Sequence, residues 1–313
     1  MSLINSVLGP LETKDLGFTL MHEHVISQGF VAQNYPELFD DHFMDKIISG
    51  ISDAKKGGVD TIIDATTFDL GRDAAALAEI SRKTKVNIIA CTGWWMNMPQ
   101  FIDGTSPDVY ADLFVREIQE GIAGTGIKAG ILKSAADFGG VMPEGEIMLR
   151  AVARAHIRAM VPIILHSYAP EQVARHQLSI LKEEGVDLKW VAVDHVNDTT
   201  DLEYLIWLLD QGCYLGMDRY PGLNLSSRSR TETMKKLIDA GWTDRLLPSH
   251  DCSLATPDTF FPPEVKESIL KGNPYGYLYL KKVVFTQLEE MGVPKAILDT
   301  LCVKGPRNFF EGA

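Results

Sequence analysis

Amphipathic stretches and short apolar runs alternate along nearly the whole chain. Residues 44–58 carry methionine and isoleucine side chains at helical spacing and end at two glycines, a common helix C-terminus. The apolar run 59–67 follows and predicts a buried strand. The same order repeats at once, with a helix predicted over 72–85, where Asp73 is a suitable N-cap, and a strand over 86–93.

The rest of the chain continues this alternation. Further helices are predicted over 107–124, 144–160, 169–187, 200–212 and 231–244, with a last helical region over 277–301. Further strands are predicted over 17–24, 128–135, 161–167, 188–195, 213–220 and 245–251. Near-continuous apolar strands separated by helices are typical of a parallel sheet that is covered on both faces.

Eight strands, seven of which are followed by a helix before the next strand, predict an α/β protein. We expect a single (β/α)8 TIM-barrel domain over residues 1–313. An open, doubly wound sheet is the alternative. No G-x-G-x-x-G follows the first strand, so the sequence disfavours the dinucleotide-binding form of that alternative.

The net charge, the cysteines and the N-terminal sequence indicate which classes of partner and which compartment to expect. The 30 Lys and Arg residues against 42 Asp and Glu give a formal net charge of −12, which argues against binding of nucleic acid or anionic membranes. Four scattered cysteines without a C-x-x-C pair indicate neither a disulfide framework nor a structural zinc site. The N-terminus lacks the basic start and long apolar stretch of a signal peptide. We therefore expect a cytoplasmic protein.

In a TIM barrel the chemistry lies at the carboxyl ends of the strands. His22 and His24 end the first predicted strand, where their spacing directs both imidazoles to one face and Glu23 to the other. Four of the eight histidines stand at strand ends, together with a lysine and an aspartate: His22, His24, Lys133, His166, His195 and Asp251. The other four histidines are predicted to be surface, packing or structural residues: His42, His156, His176 and His250.

Four imidazoles and a carboxylate at one barrel mouth exceed the needs of one structural metal and suit a pair of divalent ions. Two cations held close together repel each other and need an anionic group between them. Lys133 leaves two interpretations open. Either it forms a salt bridge at its strand end, or CO₂ carboxylates its amine and turns the side chain into a bridging carboxylate.

This set of residues resembles the phosphotriesterase family of the amidohydrolase superfamily. The resemblance rests on "HEH" at 22–24, the lysine of strand 4, the histidines of strands 5 and 6, and "SHD" at 249–251. It implies one metal ion on His22, His24 and Asp251, and a second on His166 and His195. Carboxylated Lys133 and a hydroxide would lie between them. Zinc is the expected metal, with cobalt, manganese, nickel and iron as alternatives, and the implied assembly is a homodimer.

Within that family, "DRY" at 218–220 resembles the phosphotriesterase-like lactonases, whereas the true phosphotriesterases carry a histidine where Arg219 stands. The resemblance implies that Arg219, Trp95 and Tyr220 contact the substrate, a small ester or lactone. It also implies that Asp251 and carboxylated Lys133 take part in catalysis. We expect a metal-dependent lactonase with weak phosphotriesterase activity. The loop 252–272 departs from the lactonase pattern and leaves the identity of the substrate open.

Two other functions stay open. Arg228 and Arg230 could bind the phosphate of a charged substrate, such as a sugar-phosphate lactone or a phosphoester, although a solvated loop before a helix is the plainer interpretation. The barrel could also be a catalytically inactive binding protein, and the complete ligand set argues against that. Arg219 has a plainer interpretation too, a salt bridge to Asp218 or Glu232 that braces its loop.

Overall fold

A computed structural model describes most of the chain. The described residues are 2–27, 42–96, 98–99, 102–222, 224–254, 264, 267 and 271–313. Most of the loop 252–272, whose role the sequence left open, lies outside them.

Eight parallel strands form the central sheet of the described chain, and each is hydrogen-bonded to the next in sequence order. They are β3 (Thr19–Glu23), β4 (Thr61–Asp64), β5 (Asn87–Gly93), β6 (Ile131–Ala135), β7 (Ile163–His166), β8 (Val191–Val193), β9 (Tyr214–Met217) and β10 (Leu246–Pro248). The two ends of the sheet meet just beyond β3 and β10. There the Asp251 amide donates to the His22 carbonyl, and the His24 amide donates to the Cys252 carbonyl, each at 3.1 Å. The TIM-barrel prediction is confirmed.

A helix follows each of the first seven barrel strands. These helices are α1 (Phe43–Lys56), α2 (Ala74–Thr84), α3 (Pro107–Gln119), α4 (Pro143–Ala159), α5 (Ala174–Glu183), α6 (Leu202–Asp210) and α7 (Ser227–Asp239). The chain ends in α8 (Phe285–Glu290), α9 (Lys295–Asp299) and α10 (Gly305–Glu311), with π-helical turns at Leu280–Val284 and Thr300–Lys304. The predicted N-cap of α2 is confirmed, because Asp73 Oδ1 accepts the Ala76 amide at 2.9 Å.

An N-terminal hairpin was not predicted from the sequence. Strands β1 (Leu3–Ser6) and β2 (Gly9–Glu12) pair antiparallel, and the Val7 amide donates to the Ile88 carbonyl near the start of β5. The side chain of Asn5 donates to the carbonyls of Ile118 and Ala129 at 3.1 and 2.9 Å. The hairpin therefore packs at the amino-terminal end of the barrel, away from the ends that carry chemistry in this fold.

Successive residues of the barrel strands pack into two different apolar clusters. Ile62 and Leu132 join the larger cluster with the helices, whereas their neighbours Ile63 and Ile131 join the smaller one. This alternation places one cluster between sheet and helices and the other inside the barrel. Among the described residues, no helix has both the length and the apolar character needed to cross a membrane.

Candidate active site

The structure brings the six predicted residues together at the carboxyl end of the barrel. His22 lies in β3, Lys133 in β6 and His166 at the end of β7. His195 and Asp251 lie two and three residues beyond the ends of β8 and β10, and His24 follows β3 directly. His22, Lys133 and His195 are each only 1% exposed, whereas the side chains of His24 and Asp251 are 15% and 17% exposed. A polar cluster of this kind at a barrel mouth is the usual place of catalysis in the fold.

A β-bulge in β3 aims its histidines inward. Leu20 pairs with Ile62 and Glu23 pairs with Asp64, so β3 holds one more residue than β4 between these partners. The extra residue allows both Met21 and His22 to face the barrel interior, while Glu23 still points away. Simple alternation from Met21 would have placed His22 on the outer face.

One group of side chains forms around Asp251. Its Oδ1 lies 3.4 Å from His22 Nε2 and 3.3 Å from His24 Nε2. Lys133 Nζ lies 3.3 Å from the same His22 nitrogen and donates to the Ala65 carbonyl at 3.0 Å. Three potential metal-ligand atoms from two strands therefore converge, with the lysine amine directed at them.

A second group lies beside the first. His166 Nδ1 and His195 Nε2 are 2.8 Å apart, and the indole Nε1 of Trp95 lies 3.4 Å from the same His166 nitrogen. The His195 ring also packs against the ring of His22, with centroids 4.9 Å apart. The two groups thus adjoin each other in one cluster.

The outer nitrogen of each imidazole contacts an oxygen atom. The pairs are His22 Nδ1 with Asp194 Oδ2 at 2.8 Å, His24 Nδ1 with Thr66 Oγ1 at 2.9 Å, His166 Nε2 with Asp137 Oδ2 at 3.1 Å, and His195 Nδ1 with Asp218 Oδ1 at 3.0 Å. A proton held on the outer nitrogen leaves the lone pair of the inner nitrogen facing the cluster. Sequence reasoning missed these four partners as a set, although three of them are carboxylates close to strand ends.

Burial keeps most of these imidazoles neutral. It lowers the pKa of His24 to about 4 and that of His195 to about 3, and it lowers the pKa of His166 as well. His22 differs. Burial and the Lys133 ammonium act to lower its pKa, but Asp194 and Asp218 outweigh them and raise it to about 10. A cation bound at His22 Nε2 would therefore have to displace a proton.

Two glycines make room for the cluster. A Cβ on Gly93, whose φ is +126°, would collide with the backbone carbonyl of Lys133. A Cβ on Gly216 in β9 would collide with the Asp194 carboxylate that contacts His22. The close approach of neighbouring backbone and side chains at these two positions requires glycine.

Arg219 links the cluster to a buried ionic network. Its Nε donates to Asp251 Oδ2 at 3.0 Å and its Nη1 to Asp198 Oδ2 at 2.6 Å. Arg230 pairs with the other Asp198 oxygen at 2.7 Å. The salt-bridge interpretation of Arg219 named the wrong partners, because its carboxylates are Asp198 and Asp251 rather than Asp218 or Glu232.

The family of the chain follows from comparison with known proteins. A model described as the phosphotriesterase family matches residues 2–310, which is nearly the full length. The chain belongs to the phosphotriesterase family. A phosphotriesterase homology protein of Mycobacterium tuberculosis is 39% identical, over 99% of this chain and 98% of its own. An aryldialkylphosphatase of Saccharolobus solfataricus is 35% identical, over 96% and 97%. An N-acetyltaurine hydrolase of Xenopus tropicalis is 24% identical, over 98% and 97%.

Membership of the phosphotriesterase family and the names of these relatives support a metal-dependent hydrolase. Two groups of side chains in the described part of the chain could hold a metal ion. They are His22 with His24 and Asp251, and His22 with His195 and Asp218. The second group was not predicted from the sequence, and it includes the Asp218 carboxylate, which contacts the outer nitrogen of His195.

In this phosphotriesterase-family barrel, the two arginines proposed for phosphate binding do not meet at the mouth. Arg230 is fully buried and donates to the carbonyls of Asn197 and Leu225 besides its pairing with Asp198. Arg228 is half exposed and pairs with Glu232 one helical turn along. Both lie within α7 rather than in a loop before it, since the helix begins at Ser227. These positions give no support to phosphate binding by this pair, and that hypothesis stays a prediction.

The two aromatic residues predicted to contact substrate differ in position. Trp95 is partly buried and its ring packs edge-on against His166, with centroids 5.9 Å apart. Tyr220 is fully buried in the larger apolar cluster. This buried position gives no support to contact between Tyr220 and a substrate, and that contact stays a prediction.

Proposed function

We propose that this protein is a binuclear metal-dependent lactonase with weak phosphotriesterase activity. The observation that carries the hydrolase part is the orientation of four imidazoles by four outer oxygen atoms. Outer partners of this kind are typical of metal-ligating histidines, because they set the tautomer and the ring orientation. The donor set of imidazole nitrogens and a carboxylate oxygen suits zinc and similar divalent ions.

The same geometry supports an assignment of ligands. His22, His24 and Asp251 would hold one ion, and His166 and His195 the other. Lys133 fits this arrangement only as a carboxylate, because its ammonium lies 3.3 Å from His22 Nε2 and would repel a cation there. Carboxylation would replace that positive charge by a negative one between the two groups.

Asp251, Arg219 and Trp95 would have separate roles in the reaction. When bound, the two ions would lower the pKa of a shared water and polarise the carbonyl group of the ester. The Asp251 carboxylate, whose Oδ1 faces His22 and His24, would accept the proton of that water and pass it to the leaving alkoxide. Arg219 holds the other oxygen, Oδ2, and so keeps Oδ1 turned toward His22 and His24. Trp95 would border the substrate beside His166.

Arg219 favours a lactone over a neutral aryl phosphotriester. Its guanidinium is fixed between Asp198 and Asp251 and is 28% exposed, so one charged edge remains available to an ester or carboxyl-like group. Unlike histidine, arginine keeps its proton at all working pH values. Arg219 would therefore not relay a proton, and Asp251 would pass it directly to the leaving group. The alkoxide of an opened lactone suits this transfer, because it remains attached to the acyl group and stays nearby.

A substrate panel tests this proposal. We expect kcat/KM of the metal-loaded protein on an uncharged acyl lactone to exceed that on an aryl phosphotriester by about tenfold or more, which corresponds to 1.4 kcal/mol. An N-acyl taurine and a sugar-phosphate lactone complete the panel and test an amide and a charged ester. Turnover of the phosphotriester or the amide without turnover of any lactone would contradict the proposal.

A further inference from the structure

Glu23 binds the turn that carries Asp251 from behind. Its side chain is fully buried on the face of β3 opposite His22 and His24. Its Oε1 accepts from Ser249 Oγ at 2.7 Å, from the His250 amide at 3.0 Å and from His250 Nδ1 at 2.6 Å. Its Oε2 accepts from the Cys252 amide at 3.3 Å. We call Glu23 with these three donor residues the Glu23 clamp.

The clamp holds both sides of a strained residue. Asp251 has a φ of +50°, in the left-handed region that residues other than glycine rarely adopt. The amides of its two neighbours, His250 and Cys252, each donate to one oxygen of the same carboxylate. Such strain persists only where the surroundings fix the backbone, and here one buried carboxylate does so.

The clamp also joins β3 to the end of β10, which together supply His22, His24 and Asp251. The Ser249 hydroxyl, which donates to Glu23, accepts the His22 amide at 3.1 Å. The Asp251 amide donates to the His22 carbonyl in turn. The positions of His22 and Asp251 are therefore coupled through a few short hydrogen bonds.

His250 extends the clamp to the C-terminal segment. Its Nδ1 faces Glu23 and its Nε2 accepts the Leu280 amide at 3.1 Å, which assigns the proton to Nδ1. Tyr277 stacks on this ring at 6.0 Å, and its hydroxyl donates to the Cys252 carbonyl at 3.1 Å. The described neighbours thus satisfy both nitrogens of His250, and the imidazole serves as a fixed donor to Glu23.

We propose that Glu23 is a positioning residue for Asp251: it sets the backbone conformation that directs the Asp251 carboxylate toward His22 and His24. This inference rests on the proposed function, in which Asp251 is a metal ligand and proton acceptor. Glu23 touches neither the substrate nor the ligand atoms and acts only through the turn. The clamp explains why an acidic residue stands between two histidines in "HEH".

The test compares Glu23→Gln with wild type after loading with cobalt(II), whose visible spectrum reports ligand geometry. Gln keeps the shape of the side chain but has one acceptor oxygen instead of two, so one of the amides beside Asp251 loses its partner. We expect an altered cobalt spectrum and a kcat lowered by about 10- to 100-fold, with KM changed much less. Glu117→Gln is the matched control, because that carboxylate is also largely buried but binds Arg72 and Thr92 outside the site.

The outcomes separate positioning from general stability. A cobalt spectrum and kcat equal to those of wild type would overturn the proposal, as would equal losses in both variants at equal thermal midpoints. If Glu23→Gln fails to fold, Ser249→Ala removes one donor of the clamp, and an unchanged cobalt spectrum in that variant overturns the proposal. Wild-type protein that binds no cobalt would contradict the proposed function instead. In that case, hydrogen exchange of the Cys252 amide tests the positioning role of Glu23. Equal protection of this amide in Glu23→Gln and wild type would overturn that role.

Discussion

Lys133→Ala is expected to lose bound metal and to hydrolyse its substrate about a thousandfold more slowly than wild type. The lysine lies beside the first group of ligands, with its amine 3.3 Å from His22 Nε2. If CO₂ carboxylates it, its removal leaves two cations without a protein anion between them. Elemental analysis after dialysis and kcat/KM on the best lactone measure the two effects.

The control for this variant is Lys128→Ala. Lys128 lies three residues before β6 and its side chain is exposed, so the same change there should alter neither metal content nor rate. A short carboxylic acid with bicarbonate is expected to restore part of the metal content and activity of Lys133→Ala. Wild-type metal content and rate in Lys133→Ala would show that the lysine forms no bridge.

Arg230→Met is expected to lower the free energy of unfolding by about 3 kcal/mol. Arg230 is fully buried, and its removal leaves one oxygen of the buried Asp198 without its ionic partner. The cost lies at the lower end for a broken buried pair, because Arg219 still binds the other Asp198 oxygen. Methionine preserves most of the side-chain volume, so the loss reports on the ion pair and on the hydrogen bonds to the Asn197 and Leu225 carbonyls rather than on packing. Chemical denaturation of both proteins gives the difference.

Arg228→Met is the matched control on the same helix. Arg228 pairs with Glu232 at 2.8 Å, but both side chains are half exposed, and such i, i+4 pairs contribute less than ~0.5 kcal/mol. Similar stabilities for the two variants would contradict the buried network. A loss of kcat/KM in Arg230→Met that is confined to phosphorylated substrates would instead support the hypothesis that Arg230 binds a substrate phosphate.

The alternation of short apolar strands and amphipathic helices along the chain was sufficient to predict the barrel. The strands are short, apolar and separated by amphipathic helices, and only a few architectures accommodate that order. The hairpin β1–β2 escaped prediction because its two four-residue strands lack a strong alternation and depend on contacts with residues more than a hundred positions away. Helix α7 was predicted to begin late, because the polar run around Arg228 hides the first turn, which Ser226 caps.

Some residues of the site could be predicted from the sequence and others could not. Ligand-type side chains at strand ends can be read from the sequence, because the fold itself brings strand ends together. Their outer partners cannot, since Asp194, Asp137 and Thr66 are ordinary polar residues until the rings are placed. Tyr220 was predicted to contact substrate beside Arg219, but of the two only Arg219 faces the cluster, because consecutive side chains point in different directions.

The metal content of the purified protein tests the central claim most directly. Wild-type protein that is loaded with zinc or cobalt and then dialysed is expected to retain about two ions per chain. Removal of the ions by a chelator should abolish hydrolysis, and reloading should restore it. Protein that binds no divalent ion, or that hydrolyses its substrate equally well after complete removal of metal, would contradict the account.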